Sequence, residues 1–399
     1  MRLAIIALHP VSYQLPLFLD IQRLGKYRNI SVKTVFLDKL TLRKIYHKEI
    51  EGVLDIDPGR YLHDLDHAFS FNLASPRITG FFSRINPSLI WYVFHSDAVL
   101  IHGYENLSYL FVLVLARLFG KTLLFRGEAV TRGFISRRSS KSSSVFSIIS
   151  RLKSLYVNLY FRSSRYVFYS CSGNESYFRG HGVPSESLVF FPCCVDNDLC
   201  HLHVSSESRS ILRVRYGIPQ DSFVIGYSGR ITSRKNLSTI VAASTFLADA
   251  DKKKLHLLLI GGGPESTSLT DLANGNRLPI TVTGFLPHLD GLSHLNCLDV
   301  FCMPSLYDPS PKSLNEAMNF SLPLLVSQGC GTAYDLVRPG LNGFVFDPRC
   351  PRDLARHISC LMGLPPSRLS TMGELSREIV ANYSTSQAAG NLLGSLDCL

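Results

Sequence analysis

Short runs of aliphatic and β-branched residues alternate with helix-length segments along this chain, in two successive series. The first series holds Leu3–Leu8, Ser31–Leu37, Ala98–Ile101, Thr122–Phe125, Tyr166–Ser170 and Leu188–Phe191. A polar stretch near His203–Arg209 follows. The second series then holds Phe223–Ser228, Leu255–Ile260, Ile280–Thr283, Val300–Cys302, Leu322–Val326 and Gly343–Phe346. Uninterrupted apolar strands separated by helices predict parallel sheets, because only a sheet covered on both faces needs apolar residues at every position. Two such series predict an α/β chain of two Rossmann-like domains with parallel sheets facing a central cleft. The expected divisions are 1–200, 201–375 and a C-terminal helix over 376–399 crossing back to the first domain. Ligands of open α/β sheets bind beyond the carboxyl ends of the strands, so the cleft is the expected site.

The 399 residues suit two or three domains. A 46% hydrophobic and 18% charged composition excludes global disorder. The longest apolar run, Leu110–Ala116, stops at Arg117, far short of the roughly 20 residues of a membrane span. The opening Met1–Leu8 runs straight into His9-Pro10 and reads as a first strand rather than a signal peptide. The 10 cysteines are scattered and fit reduced thiols in the cytoplasm. Cys193, Cys194, Cys200, His201 and His203 form a metal-like cluster, but adjacent cysteines chelate one zinc poorly and no Cys-x-x-Cys is present. No Asp-x-Asp element stands at a strand end either, so no metal and no cofactor are expected.

The net charge is +10. Between Arg126 and Arg179 ten basic residues face only Glu128 and Glu175, which places +8 of the excess there. Ser136–Ser147 reads as a mobile loop. Ile148–Arg162 follows with apolar residues at helical spacing and cations between them. Two readings stand: an amphipathic basic helix suited to an anionic membrane surface, and a core helix with a solvated cationic face.

Four blocks carry the chemistry. Gly226–Leu237 ends a strand in glycine and then sets Arg230 and Lys235 in the next loop, as a diphosphate clamp requires. Leu257–Glu265 is a buried strand entering the Gly261-Gly262-Gly263 turn. Val282–Pro287 is a strand end whose backbone suits a base edge, with Phe285 at its tip. Met303–Met318 carries Asp308, Ser310, Lys312 and Glu316, with a helix expected to start around Pro309–Lys312. A helix N-terminus suits phosphate, and carboxylates beside it accept hydrogen bonds from hydroxyls. Together these fit a polyhydroxylated anion, a nucleotide sugar.

The order of these blocks resembles the retaining glycosyltransferases of the glycogen-synthase-like group, family 4, with the GT-B architecture. That family carries a G-R-x-x-x-x-K block, a GGG-P-E turn, a G-F-x-P turn and an E-x7-E element ending in E-A-M. It continues with a segment like Leu322–Ser327 and then one like Asn342–Phe346. Phe191-Pro192 and Val195-Asp196-Asn197 resemble its P-x-x-V-D-N. The resemblance spans the second domain and is looser over 1–190. It implies that Arg230 and Lys235 hold the donor diphosphate; Ser310 and Lys312, at the expected helix start, are further diphosphate candidates, and Lys312 suits a surface position as well. Glu316 takes the ribose hydroxyls, Asp308 the donor sugar, and Gly262 and Phe285 the nucleoside. The resemblance also implies that His102, after Val99–Ile101, lies near the transferred sugar, while a lone histidine equally suits a satisfied buried side chain. Tyr13, Arg126 and Glu128 are acceptor candidates. Two departures stand out: the first acid is Asp308 instead of Glu, and Pro311 replaces a glycine, which removes an amide donor.

The expected function is transfer of a sugar from a nucleoside-diphosphate sugar to a hydroxyl of a saccharide or lipid-linked glycan, retaining and metal-independent, in surface polysaccharide or envelope glycan synthesis. The expected location is cytoplasmic, peripheral at the inner face of the plasma membrane through 132–165, with domain closure about a hinge near Pro192–Arg209. The rival is a non-catalytic nucleotide-sugar-binding scaffold of a membrane glycan complex. A nucleic-acid partner is not expected, since the basic stretch lacks interleaved aromatic residues or a recognised binding module. A dehydrogenase is disfavoured because no G-x-G-x-x-G is present.

Overall fold

The computed structural model describes residues 1–11, 13–39, 45–47, 52–54, 59–74, 80–130 and 144–398. The first half of the chain forms β1 (Arg2–Ala7), β2 (Ser31–Phe36), β3 (Ile45–His47), β4 (Gly52–Leu54), β5 (His67–Phe69), β6 (Ala98–His102), β7 (Thr122–Arg126), β8 (Tyr166–Tyr169) and β9 (Leu188–Phe190). Strands β3 and β4 pair only with each other, antiparallel. The other seven make one parallel sheet in the order β5-β2-β1-β6-β7-β8-β9. The second half forms β10 (Phe223–Ser228), β11 (Leu255–Ile260), β12 (Ile280–Val282), β13 (Val300–Met303), β14 (Leu324–Ser327) and β15 (Gly343–Phe346). These make a parallel sheet in the order β12-β11-β10-β13-β14-β15. The chain is thus two Rossmann-like domains, each strand order reversing beside its first strand, where open sheets leave a crevice.

The first sheet shows why its strands are apolar throughout. Leu3, Ile5 and Ala7 of β1 join one core, and Ala4 and Ile6 join another on the opposite face, as the two-residue period of a strand demands. The second core holds the inner faces of the helices Leu89–Phe94, Leu107–Leu118 and Ser144–Ser163. The first core is covered by Leu15–Tyr27 and by a helix from the far end of the sequence, Thr385–Leu396. Ala388, Ala389, Leu392, Leu393 and Leu396 form its buried stripe, at the spacing of one helix face. Each of those leucines contributes about 1.5–3 kcal/mol at full burial.

Several expectations shift in detail. The C-terminal segment is two helices, Pro366–Ala381 and Thr385–Leu396, rather than one. Ser144–Ser147 begins a helix, and the rest of the expected mobile loop, 136–143, lies outside the described residues. So do Arg132, Arg137, Arg138 and Lys141 of the basic stretch. Strand β5 went unseen in the sequence because His67-Ala68-Phe69 is a three-residue edge strand with no apolar run. Among the described residues, no helix is long and apolar enough to cross a membrane.

The domains meet across the cleft. The Ser172 backbone N–H and hydroxyl donate to the Asp335 carboxylate (3.1 and 2.9 Å), so the second domain caps the first-domain helix Ser172–Gly180. Asn315 Nδ2 donates to the Cys193 carbonyl, and Asn319 Nδ2 to Asn197 Oδ1, both at 2.9 Å.

Candidate functional site

Strands β10 and β11 lie side by side and send their turns into the cleft against each other. The Gly229 N–H donates to the Ile260 carbonyl (2.9 Å) and the Ile231 N–H to the Gly262 carbonyl (3.0 Å). A Cβ on Gly261 would stand 2.2 Å from the Gly229 carbonyl oxygen, and Gly261 itself has φ +135°. Only glycine meets both conditions. The two fused turns form the floor of a cavity of about 340 Å³, which Arg230, Gly262, Phe285, His288 and Glu316 line. Phe285 keeps 41% of its surface exposed for a ring to lie against. Glu316 reaches in from the helix Lys312–Asn319 and accepts a hydrogen bond from His288 Nε2 (2.9 Å). That bond is the leading cause of the raised pKa of His288. The arrangement offers a cation, an aromatic wall, close backbone and a carboxylate acceptor, which suits a nucleoside with a phosphate attached.

Lys235, Asp308, Ser310 and Lys312 do not line this cavity but stand beside it. Lys235 Nζ donates to Asp308 Oδ2 (2.5 Å), and both side chains are largely buried. Ser310 is buried, and its carbonyl lies 3.5 Å from Lys312 Nζ. Lys312, the first residue of its helix, points at the other domain. It contacts the Cys193 thiol, lies 3.7 Å from Glu128 Oε1 and sits 5.1 Å from the Tyr13 ring centroid. Burial would lower the pKa of Lys312, but the Cys193 sulfur and the Glu128 carboxylate override it and raise it. Burial likewise opposes ionisation of Glu128, but Lys312 and Arg126 hold its pKa down to about 2.

The cluster continues into the first domain. Arg126, at the end of β7, bonds Glu128 Oε1 (3.3 Å) and His102 Nδ1 (3.4 Å), with its guanidinium 4.7 Å from the Phe191 ring. Arginine only donates, so His102 Nδ1 accepts and its proton sits on Nε2. That Nε2 is buried with no partner among the described residues. Burial, then the Arg126 charge, lowers the pKa of His102 well below 6.5 and keeps the ring neutral. A buried donor of this kind calls for an acceptor, which a water or a ligand oxygen supplies.

The structure therefore brings the sequence candidates together as two adjoining groups. Arg230, Gly262, Phe285 and Glu316 share the cavity, while Tyr13, His102, Arg126, Glu128 and Lys312 make an interdomain ionic cluster. Lys235 pairs with Asp308 beside them. The sequence reading missed His288, whose only signal was its place just after the Gly284–Pro287 turn. It also missed Cys193 as a cleft residue. The cysteines once weighed as metal ligands face different surroundings: Cys193 the cleft, Cys194 the first-domain core and Cys200 the second-domain core.

Comparison with known proteins falls on the second domain. Residues 208–378 match the family described as Glycosyl transferases group 1. A 2-deoxystreptamine glucosyltransferase of Streptomyces kanamyceticus is 28% identical over 212 residues, 52% of this chain and 54% of the relative. An alpha-D-kanosaminyltransferase of the same organism is 28% identical over 188 residues, 47% of this chain and 48% of the relative. The chain thus spans about half the length of the curated relatives it matches. Among solved structures, Anabaena HepE in complex with UDP covers all of both chains at TM-score 0.72 and 16% identity. WaaG, a glycosyltransferase involved in lipopolysaccharide biosynthesis, covers 99% of each at TM-score 0.64 and 14% identity. The second domain is thus similar to the glycosyl transferases group 1 family over residues 208–378, and the whole chain has the two-domain GT-B fold.

Proposed function

We propose that this chain transfers a sugar from a nucleoside-diphosphate sugar to a hydroxyl of a saccharide or lipid-linked glycan acceptor, with retention at the anomeric carbon and without a metal. The observation that carries the reading is the cavity on the fused glycine turns, with Arg230, Phe285 and Glu316 in its walls and Lys235–Asp308 beside it. The nucleoside lies against Phe285 and its ribose hydroxyls donate to Glu316. The diphosphate extends past Arg230 towards Lys235 and the start of the Lys312–Asn319 helix. As the bond to the anomeric carbon breaks, charge builds on the diphosphate, and these fixed cations stabilise it. Asp308, its pairing with Lys235 relaxed by the phosphate, takes a sugar hydroxyl.

The acceptor enters from the first domain, beside Tyr13, Arg126 and Glu128. Its hydroxyl attacks from the face the diphosphate leaves, and the departing phosphate oxygen takes its proton. His102 Nε2 donates to an oxygen of the transferred sugar. Relatives named as a 2-deoxystreptamine glucosyltransferase, a putative teichuronic acid biosynthesis glycosyltransferase and an O-antigen biosynthesis glycosyltransferase support a glycan or glycoside acceptor. The basic stretch 132–165 supports a peripheral position at an anionic membrane face.

The test is thermal stabilisation by a panel of nucleotides and nucleotide sugars with chelator present. A ligand at 100 times its dissociation constant adds roughly 2.7 kcal/mol. We expect one nucleoside diphosphate and its sugars to stabilise the chain, and Glu316→Ala to abolish the shift. No shift with any nucleotide would sink the reading. Donor binding with neither transfer nor slow hydrolysis would favour a non-catalytic scaffold.

A further inference from the structure

We propose that the outer face of the three helices Leu89–Phe94, Leu107–Leu118 and Ser144–Ser163 is the surface that seats the chain on an anionic lipid bilayer. It rests on the reading of a membrane-borne acceptor and replaces the stretch 132–165 of that reading with a defined face of three helices. All three helices pack their inner sides on the same face of the first sheet, so their outer sides form one layer. That layer is apolar where a solvated face is polar. Trp91 is 64% exposed, Leu118 72%, Leu155 67% and Leu152 60%, with Phe94 and Ile90 about half exposed.

The ends of the three helices meet in space. The Phe94 and Phe119 rings lie 5.2 Å apart, Lys121 Nζ is 5.7 Å from the Phe94 ring, and Arg117 donates to Ser163 at the end of the third helix (3.0 Å). The charges among them have one sign. Arg117, Arg151, Lys153 and Arg162 are exposed on these helices, and their sequences contain no aspartate or glutamate. An exposed apolar patch of this extent marks an interaction surface. Cations without carboxylates between the apolar groups select an anionic partner, and a flat array of apolar and basic side chains fits headgroups over acyl chains. The two readings of the Ser144–Ser163 helix also resolve here. Val157, Tyr160 and Phe161 make it a core helix, and Leu152, Leu155 and Leu159 give it a second apolar face among cations.

Trp91 is the only tryptophan in the chain, so the surface carries its own reporter. The full chain is mixed with vesicles of phosphatidylcholine alone or with one third phosphatidylglycerol (about 1:2). Tryptophan emission, iodide quenching and cosedimentation are followed. We expect a blue shift and protection from iodide with anionic vesicles only, weakening as salt rises. Arg151→Gln and Lys153→Gln should each cost about fivefold in vesicle affinity. Leu152→Ser with Leu155→Ser should reduce the emission shift while leaving the nucleotide-induced thermal shift intact, which shows that the variant folds. Sedimentation without burial of Trp91 would place the membrane contact elsewhere and overturn the proposal. Equal binding to neutral vesicles, or concentration-dependent self-association that shields Trp91 without lipid, would overturn it too. Because the nucleotide shift is read separately, failure here leaves the donor reading standing, and loss of that shift in the unaltered chain condemns the donor reading alone.

Discussion

The two domains share an architecture and differ in what makes their sites. In the second domain the cavity floor is backbone: two glycine turns pressed together, with side chains added at the walls. In the first domain the cleft surface is side chain: an imidazole, a guanidinium and a carboxylate holding one another, then reaching across to Lys312. A backbone site needs glycine at fixed places, and any chain using it shows the same pattern. A side-chain site can be rebuilt one residue at a time. Similarity to the glycosyl transferases group 1 family accordingly falls on residues 208–378, the half made of backbone.

Breaking the first-domain cluster should have the largest effect. Arg126→Ala takes one of two cations from the part-exposed Glu128 and the hydrogen bond from His102, at an expected cost of about 2–3 kcal/mol for the lost charge-assisted bonds. Denaturant unfolding should show that loss, and transfer should fail while the variant still binds the nucleotide. Loss of nucleotide binding as well would mean that the two sites are not separable.

A buried histidine of the second domain, His256, gives a pH counterpart. Burial, then the Arg213 charge, holds His256 at about 4, and its Nε2 pairs with Thr281 at 2.8 Å. A folded-state pKa of about 4 against 6.5 unfolded is worth about 3 kcal/mol. The unfolded chain takes the proton first, so this stability is present above pH 6.5 and is lost as pH falls towards 4. His256→Gln should flatten the fall in Tm across that window, and an unchanged slope would contradict the assignment.

Next comes a matched pair of glycines. Gly261→Ala forces a Cβ to 2.2 Å from the Gly229 carbonyl, with an expected cost of about 1–3 kcal/mol and loss of nucleotide binding. Gly182→Ala, also at positive φ but with nothing near its Cβ, should cost about 1 kcal/mol and leave nucleotide binding alone. Equal effects on binding would erase the contrast between the domains. Asp335→Ala removes the cap lent to the first domain, for about 1 kcal/mol, and a double-mutant cycle with Ser172→Ala should show strong coupling. The smallest effect belongs to His288→Ala. Its pKa is raised by Glu316, so the pair stabilises below pH 6.5 and the benefit fades as pH rises through the raised value. The variant should therefore lose Tm at pH 6 and little at pH 9.

How legible the molecule was follows the same division. Leu255–Ile260 and Phe223–Ser228 could be read to the residue, because a central parallel strand must be apolar at every position. The edge strand His67–Phe69 could not, since it meets that demand on neither length nor composition. In the site, Arg230, Gly262, Phe285 and Glu316 are found together because fixed spacings along consecutive strand ends bring them there. The pairing of Lys312 with Glu128 and Cys193 had no such signal. It joins residues 119 positions or more apart, across two domains, and nothing local in either segment requires it.

The helix Thr385–Leu396 also sets the order in which this protein can be made. Its stripe completes the core over Leu15–Tyr27, yet its codons come after those of the entire second domain. During synthesis the first domain must therefore wait, its Leu17 and Phe18 side uncovered, while the second domain folds ahead of it on a core of its own. The first domain to leave the ribosome is the last to be finished, and the chaperone-exposed interval of this protein is the time taken to translate the other half.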